Sequence, residues 1–224
     1  KKEPQETHSD IAGKITLKNG LRIVYSKRKD YPKVSITVAL KGGLLAESRD
    51  TNGISNIASG MLLKGTASKN SEDIQKIIES YGAAIGAFSG NNSFGIKVDM
   101  LDRNIEKILD IIYEIMSRPS LPEEEFKKEK ALTKAKIMER DDDIYSSTAL
   151  SLKQLLYNEH PYGLDTLGTN ESVERIKRKD VADFYKDYID RNNIVIYVAG
   201  TFDEKKIPGF IKRKFGYIRP KNVK

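Results

Sequence analysis

The residue types that most often carry catalytic chemistry are few in this chain and widely spaced. It has two histidines, His8 and His160, and no cysteine. The lack of cysteine excludes thiolate catalysis, cysteine-ligated zinc and disulfides. Ser55 and Ser59 have no histidine near them in the sequence, so neither is expected to act as an activated nucleophile. The residue types therefore exclude cysteine chemistry and argue against a serine nucleophile.

A few residues still invite a functional interpretation, and each has a plainer alternative. Asp141, Asp142 and Asp143 could suggest a calcium or magnesium site, but they lack the spacing of a metal loop. A solvated helix terminus or an N-cap is the favoured interpretation. His160 could be a ligand or an acid–base group, yet its His-Pro-Tyr-Gly context favours a structural turn. We expect no cofactor.

The chain is basic, with a formal net charge of +7 over 224 residues. Charges of both signs alternate along it, as from Glu123 to Lys130, which favours solvated helix faces. The lysine-rich segment from Lys205 to Lys224 lacks the arginine and aromatic residues of a single-strand binding surface. We therefore expect no nucleic-acid partner. No apolar run reaches about 18 residues, so no membrane span is predicted.

The hydrophobic pattern predicts strands and helices in separate groups. Alternating apolar residues predict strands at 15–17, 21–25, 34–40, 84–89, 93–100 and 194–199, with Asn19-Gly20 turning the first hairpin. Helical spacing predicts helices at 52–64, 71–81, 102–116, 123–140, 146–157, 180–189 and 204–215, with Ser71 and Asp102 as N-caps. Helices between hairpin-joined strands indicate an α+β fold, a mainly antiparallel sheet packed against helices.

One domain accounts for this pattern. We interpret residues 1–13 as a disordered lead-in and residues 14–216 as a single α+β domain. Residues 217–224 are interpreted as a tail, or as the start of a linker to a second unit.

Four stretches, in this order and spacing, resemble the first structural unit of the pitrilysin/insulinase zinc peptidases, which include the mitochondrial processing peptidase. They are Leu17–Val24, Gly42–Thr66, Phe126–Lys130 and His160–Thr169. The resemblance covers roughly residues 14 to 216. It implies the metallohydrolase-like unit of the processing-peptidase type.

Active members of that family carry an inverted zinc motif, His-x-x-Glu-His, and a further glutamate ligand on a downstream helix. By resemblance, the two histidine positions fall on Asn56 and Gly60, the general base on Ser59 and the downstream glutamate on Lys136. None of these residues can do the corresponding work, and an ammonium group repels a divalent cation. The resemblance therefore implies an inactive relative without a metal site. Glu129 matches another carboxylate position of the family, but we interpret it as a helix-surface charge.

The resemblance also implies a role beside a catalytic subunit. Heterodimeric members pair a motif-bearing subunit with one that lacks the motif, and the pair encloses a chamber for peptides. We expect this chain to be the non-catalytic partner, which shapes that chamber and helps to bind peptide. An edge strand containing Ala84, Ile85, Ala87 and Phe88 could pair with extended peptide, although a strand that merely closes the sheet is favoured. The alternative is a structural or scaffold subunit of a larger complex with no peptide-processing role.

Two expectations concern the protein as a whole. Family subunits hold two such units in tandem, so we expect this chain to be a fragment of a longer subunit. Its polar start without methionine and the export of bacterial relatives suggest a periplasmic protein.

Overall fold

A six-stranded sheet organises the chain, as seen in a computed structural model that describes residues 11–28, 32–218 and 220. The sheet has the order β1-β2-β6-β3-β5-β4. β2 and β6 run parallel, and the other neighbouring pairs are antiparallel. This confirms the expected α+β fold with a mainly antiparallel sheet. The strands are β1 (Ile11–Thr16), β2 (Arg22–Lys27), β3 (Lys33–Lys41), β4 (Ala84–Ser89), β5 (Ser93–Leu101) and β6 (Ile194–Gly200).

Eight α-helices flank the sheet in the described part of the chain. All seven predicted helices are present, and each begins and ends within about three residues of its expected bounds. The helices are α1 (Ile54–Leu62), α2 (Ser71–Ser80), α3 (Ile105–Ser117), α4 (Glu123–Asp142), α5 (Ile144–Tyr157), α6 (Asn170–Arg175), α7 (Arg178–Tyr188) and α8 (Ile207–Phe215). Short 3-10 helices at Gly43–Ala46, Asp102–Asn104 and Pro161–Gly163 connect some of them.

The buried side chains form two clusters. The larger one joins the sheet to α2, α3 and α8, through residues such as Ile36, Ile78 and Phe215. The smaller one lies among α1, α4, α6 and α7, and includes Ile57 and Phe126. Because α1 contributes Leu62 to the first cluster and Ile57 to the second, it is fixed from two sides.

Two predicted helix caps are wrong. The N-cap of α2 is Asn70, whose side chain accepts a hydrogen bond from Asp73 N, rather than Ser71. Asp102 lies in a 3-10 turn, and α3 begins after it at Ile105 without a side-chain cap. The sequence pattern also missed α6, a helix of 6 residues.

The ends of the predicted domain differ in detail from the described structure. β1 already begins at Ile11, three residues inside the segment expected to be disordered. Residues 1–10 of that segment lie outside the described residues. Ile218, expected in the tail, is 8% exposed and packs in the larger core.

Candidate functional site

A buried carboxylate fixes the start of α1. Glu47 accepts hydrogen bonds from Gly53 N at 2.8 Å and Ser55 N at 3.0 Å, and also from the side chains of Asn52 and Ser55. Gly53 N and Ser55 N are backbone donors that the N-terminus of a helix leaves without intrahelical partners. Gly53 adopts a φ of 94°, which suits glycine. Burial raises the pKa of Glu47, and its hydrogen bonds from Ser55, Asn52 and Gly53 oppose that rise without cancelling it.

The same network connects α1 to the end of β4. The Ser55 hydroxyl lies 2.9 Å from the Ser89 hydroxyl, so the two share a hydrogen bond. Ser89 is the last residue of β4. The N-terminus of α1 and the edge of the sheet are therefore positioned by one set of contacts.

The positions Asn56 and Gly60 face α4. Asn56 Nδ2 lies 3.4 Å from Thr133 Oγ1, a long hydrogen bond. At Gly60, an added Cβ would collide with the carboxylate of Glu129. The glycine thus leaves the space that the Glu129 side chain fills.

Glu129 is buried, so its interpretation as a helix-surface charge is wrong. It is 6% exposed, and its Oε2 lies 3.2 Å from Lys64 Nζ. Lys64 follows Gly60 by one helical turn on the chain leaving α1. A carboxylate and an ammonium group therefore occupy the contact between α1 and α4.

Among the described residues, Ser59 and Lys136 make no hydrogen bond or ion pair across that contact. The Ser59 hydroxyl is buried and donates to Asn56 O at 2.8 Å, within its own helix. Lys136 is exposed on α4. The structure thus brings Asn56 and Gly60 against side chains of α4, whereas Ser59 bonds within α1 and Lys136 is exposed.

These side chains do not fit a zinc ion. Zinc in proteins takes thiolate, imidazole and carboxylate ligands. The contact between α1 and α4 offers one carboxylate, and that carboxylate already pairs with Lys64. Within residues 11–28 and 32–218, no group of three or more histidine, aspartate or glutamate side chains could hold a metal ion.

Three residues of this region were not anticipated from the sequence: Glu47, Lys64 and Thr133. Glu47 and Lys64 lie in the stretch from Gly42 to Thr66 that carried the resemblance, but no periodicity marks either as buried or paired. A local pattern does not show which charged residue of one helix meets which residue of another.

β4 lies at one end of the sheet and pairs, among the described strands, with β5 alone. Gly90 N donates to Ser93 O at 2.9 Å and closes the turn between them. Every second residue before Gly90 directs its backbone N–H and C=O groups toward β5 in the same way. These residues are Phe88 and Gly86. In an antiparallel ladder the alternate residues direct theirs outward, so Ile85 and Ala87 present N–H and C=O groups at the edge. A groove of about 480 Å³ lies on the face of the sheet across β4, β5 and β3, lined by Thr37, Ala84–Phe88, Lys97 and Asp99.

Two other sequence candidates have structural roles. His160 caps the turn Pro161–Gly163, accepting from Tyr162 N at 3.1 Å, and its ring packs against the rings of Tyr157 and Tyr162. Asp143 is the N-cap of α5 and accepts from Ser146 N at 2.9 Å. Both favoured interpretations are confirmed.

Comparison with known proteins identifies the family. Residues 22–170 match the family described as "Insulinase (Peptidase family M16)", and residues 175–224 match "Peptidase M16 inactive domain". The chain belongs to the insulinase family of peptidases. It is 26% identical over 208 residues to the uncharacterized zinc protease YmxG of Bacillus subtilis, covering 93% of this chain and 51% of that protein.

Subunits of larger assemblies are also among the insulinase-family relatives. The chain is 25% identical over 217 residues to the mitochondrial-processing peptidase subunit beta of Saccharomyces cerevisiae, covering 94% of this chain and 46% of that protein. It is 22% identical over 199 residues to the cytochrome b-c1 complex subunit 1 of Bos taurus, covering 89% of this chain and 41% of that protein. The chain therefore spans about half the length of the curated relatives it matches.

The insulinase-family fold is shared with solved structures. A protease from Helicobacter pylori matches with a TM-score of 0.88 and 21% identity, over 96% of this chain and 53% of that one. The periplasmic protease PqqL from Escherichia coli matches with a TM-score of 0.85 and 17% identity, over 95% of this chain and 24% of that one. Among the described residues, no helix is long and apolar enough to cross a membrane.

Proposed function

We propose that this chain is a non-catalytic insulinase-family unit that supplies peptide-binding surface beside a motif-bearing catalytic subunit. The observation that carries the proposal is the contact between α1 and α4. There Gly60 leaves room for the Glu129 carboxylate, and Lys64 provides its counter-charge. The Glu129 carboxylate is therefore packed, and its charge is balanced by Lys64, without a metal ion.

The residues at the motif positions support the absence of catalysis. Asn56 offers a neutral amide, Gly60 has no side chain, and Ser59 is bonded to its own helix. Lys136 is exposed and positively charged. Metal-assisted hydrolysis needs a bound ion that activates water and a base that takes its proton. These four positions provide neither.

The edge of β4 supports peptide binding. An exposed edge strand presents unpaired backbone groups that an extended peptide can pair with. The strand is held next to α1 through Ser55 and Ser89. A peptide paired with Ile85 and Ala87 would therefore lie alongside the region where a catalytic relative would hold its metal.

Zinc content and peptide hydrolysis test the catalytic status. We expect the purified chain, dialysed against zinc and washed, to retain less than stoichiometric zinc and to show no chelator-sensitive hydrolysis of peptides. A motif-bearing relative assayed in parallel is the positive control. Stoichiometric zinc, or hydrolysis that a chelator abolishes, would refute the proposal. For the partner role, adding the chain to a motif-bearing subunit should change that subunit's KM for peptide.

A scaffold role is the second candidate, favoured by the similarity to the cytochrome b-c1 complex subunit 1. A scaffold would assemble stably with other subunits and leave peptide turnover unchanged. Stable co-purification of the chain with a complex that has no peptidase activity, together with no effect on KM in the assay above, would favour this role.

We also propose a periplasmic location, on the similarity of fold to a periplasmic protease. The test is fractionation of the native host cells followed by immunodetection. Recovery in the cytoplasmic fraction would contradict it.

A further inference from the structure

Gly86 leaves open space where the groove across β4, β5 and β3 reaches the edge of the sheet. Ile85 packs against the larger core, and successive side chains of a strand point to opposite faces. Ala84, Gly86 and Phe88 therefore belong to the other face, which carries the groove. A Cβ added at Gly86 would meet no atom of the described residues within 4 Å, its two chain neighbours aside. The space above this glycine is free for another side chain.

A peptide paired with β4 would direct one side chain into that space. Ile85 and Ala87 present their backbone groups outward, so they would form the hydrogen-bonded pairs with an antiparallel peptide. The peptide residue between those two pairs faces Gly86 in a non-hydrogen-bonded pair. In such a pair the Cα atoms are about 4.5 Å apart and the side chains are closest. Because paired residues share a face of the sheet, this peptide side chain lies over Gly86 in the groove.

The lining of the groove favours an uncharged side chain at that position. Among the described residues that line it, only Lys97 and Asp99 carry charge, and their side chains pair with each other at 3.2 Å. A charged peptide side chain would therefore gain no net counter-charge there. Phe88, which flanks Gly86 on the same face of β4, is half-buried and presents part of its ring. An apolar side chain would cover Gly86 and contact that ring.

An aromatic side chain matches these surroundings best. An aromatic residue opposite a glycine of an edge strand stabilises the pairing, because its ring covers the backbone that the glycine leaves bare. The same ring can meet the ring of Phe88 edge-to-face. Lys97 is the cross-strand neighbour of Gly86, and its ammonium group is attracted to an aromatic face.

We propose that the groove selects an aromatic residue at the peptide position that faces Gly86. This inference rests on the proposed function, because it requires a peptide paired with β4. It adds which side chain that peptide carries and which residue of the chain selects it.

A scan of one peptide tests the selection. The probe is a fluorescently labelled peptide that a motif-bearing relative cleaves, with each position changed in turn to alanine and to phenylalanine. By fluorescence anisotropy we expect one position at which phenylalanine binds at least about fivefold more tightly than alanine. A scan in which every position accepts alanine equally well, or in which the strongest preference is for a charged residue, would overturn the inference.

Gly86→Val should remove the preference by filling the space above the sheet. We expect the ratio of phenylalanine to alanine binding to fall to about one. Valine suits the position, because the φ of Gly86 is not positive and valine favours strands. Ala87→Val is the matched control, since it adds the same side chain to the opposite face of β4 and should keep the ratio. An unchanged ratio in a folded Gly86→Val would overturn the inference, and the wild-type scan decides it if that variant does not fold.

Ala87→Pro separates this inference from the proposed function. Proline removes an outward N–H of β4 and should weaken every peptide of the scan. If it weakens none of them, the peptide does not pair with β4, and both proposals fail. If it weakens them while the wild type shows no aromatic preference, the pairing stands and the selection by Gly86 is wrong.

Discussion

At the scale of single residues, Gly60, which has no side chain, determines which group fills the contact between α1 and α4. Gly60 admits Glu129 into the space between α1 and α4, and Glu129 is buried there beside Lys64. A buried carboxylate is costly without a counter-charge. Lys64 therefore does for Glu129 what a bound cation does for carboxylates in a metal site.

Removing that counter-charge should destabilise the fold. We expect Lys64→Met to lower the free energy of unfolding by on the order of 3 kcal/mol, because it leaves Glu129 buried and unpaired. Adding Glu129→Gln should recover most of the loss. Urea unfolding measures both. Lys76→Met, which breaks an exposed pair with Glu72, is the control and should cost less than about 1 kcal/mol. Equal losses for Lys64→Met and Lys76→Met would contradict the buried-pair argument.

Glu47 should show a distinct response to truncation and to pH. Glu47→Ala leaves Gly53 N and Ser55 N without their acceptor, and we expect a loss of about 2–4 kcal/mol. Glu47→Gln keeps an acceptor oxygen and should lose less.

The pKa of Glu47 is raised above 4.5 on folding, so the folded state holds the proton more tightly than the unfolded state. The stability of the wild type relative to Glu47→Gln should therefore fall as pH rises above about 4.5. Denaturant titrations between acid and neutral pH test this, and a relative stability that rises over the range would contradict it.

At the scale of elements, the edge strand β4 is the part of the proposed function that substitution can isolate. Ile85 and Ala87 direct their backbone groups outward, whereas Gly86 and Phe88 bond to β5. Proline is tolerated on an edge strand where its missing N–H faces solvent. One substitution can therefore remove an outward donor and leave the sheet paired.

We expect Ala87→Pro to weaken peptide binding at least about fivefold, the equivalent of one lost hydrogen bond. Ala87→Val keeps the N–H and is the matched control. The measurement is fluorescence anisotropy with a labelled peptide that a motif-bearing relative cleaves, with circular dichroism to confirm that both variants fold. Equal binding by the two folded variants would show that β4 does not pair with peptide.

The sequence predicted the elements well where the local pattern was strong. The Asn19-Gly20 hairpin forms with Gly20 at a φ of 88°. Five of the six strands begin and end within two residues of their expected bounds, whereas β1 begins four residues earlier than expected, at Ile11. The helix α6 was missed because its capping box, Thr169 with Ser172, lacks the usual glutamate and the helix is too short for periodicity. The burial of Glu129 and the exposure of the apolar side chains of α5, such as Tyr145 and Leu155, were out of reach as well. Both depend on which helix packs against which, and each helix alone gives a charged or an amphipathic pattern.

At the scale of the whole molecule, stability in acid should depend on Glu114. This residue joins α3 to the turn after α1, accepting from Thr66 Oγ1 at 2.6 Å, Ser68 Oγ at 2.5 Å and Lys69 Nζ at 2.7 Å. Burial alone would raise the pKa of Glu114, but the hydrogen bonds from Lys69, Ser68 and Thr66 and the charge of Lys69 lower it to about 2. The carboxylate form is therefore favoured by folding.

The stabilisation from Glu114 should be present above pH 4.5 and disappear as pH falls toward 2. We expect Glu114→Gln to lower the free energy of unfolding at neutral pH by on the order of 3 kcal/mol, and by much less near pH 2. The measurement is thermal or urea unfolding across that range. Glu79→Gln, on an exposed face of α2, is the control. A Glu114→Gln effect that does not depend on pH would contradict the assignment.

The position of β6 in the sheet has a consequence for biosynthesis. β6 is the last of the described strands, yet it lies between β2 and β3 and is the only described strand that joins them. Until Ile194–Gly200 has left the ribosome, β1-β2 and β3-β5-β4 are two separate sheets with open inner edges. Such edges can pair with other nascent chains. The synthesis of β6 therefore decides whether the earlier strands fold or aggregate, and a pause in translation before residue 194 would prolong that exposure.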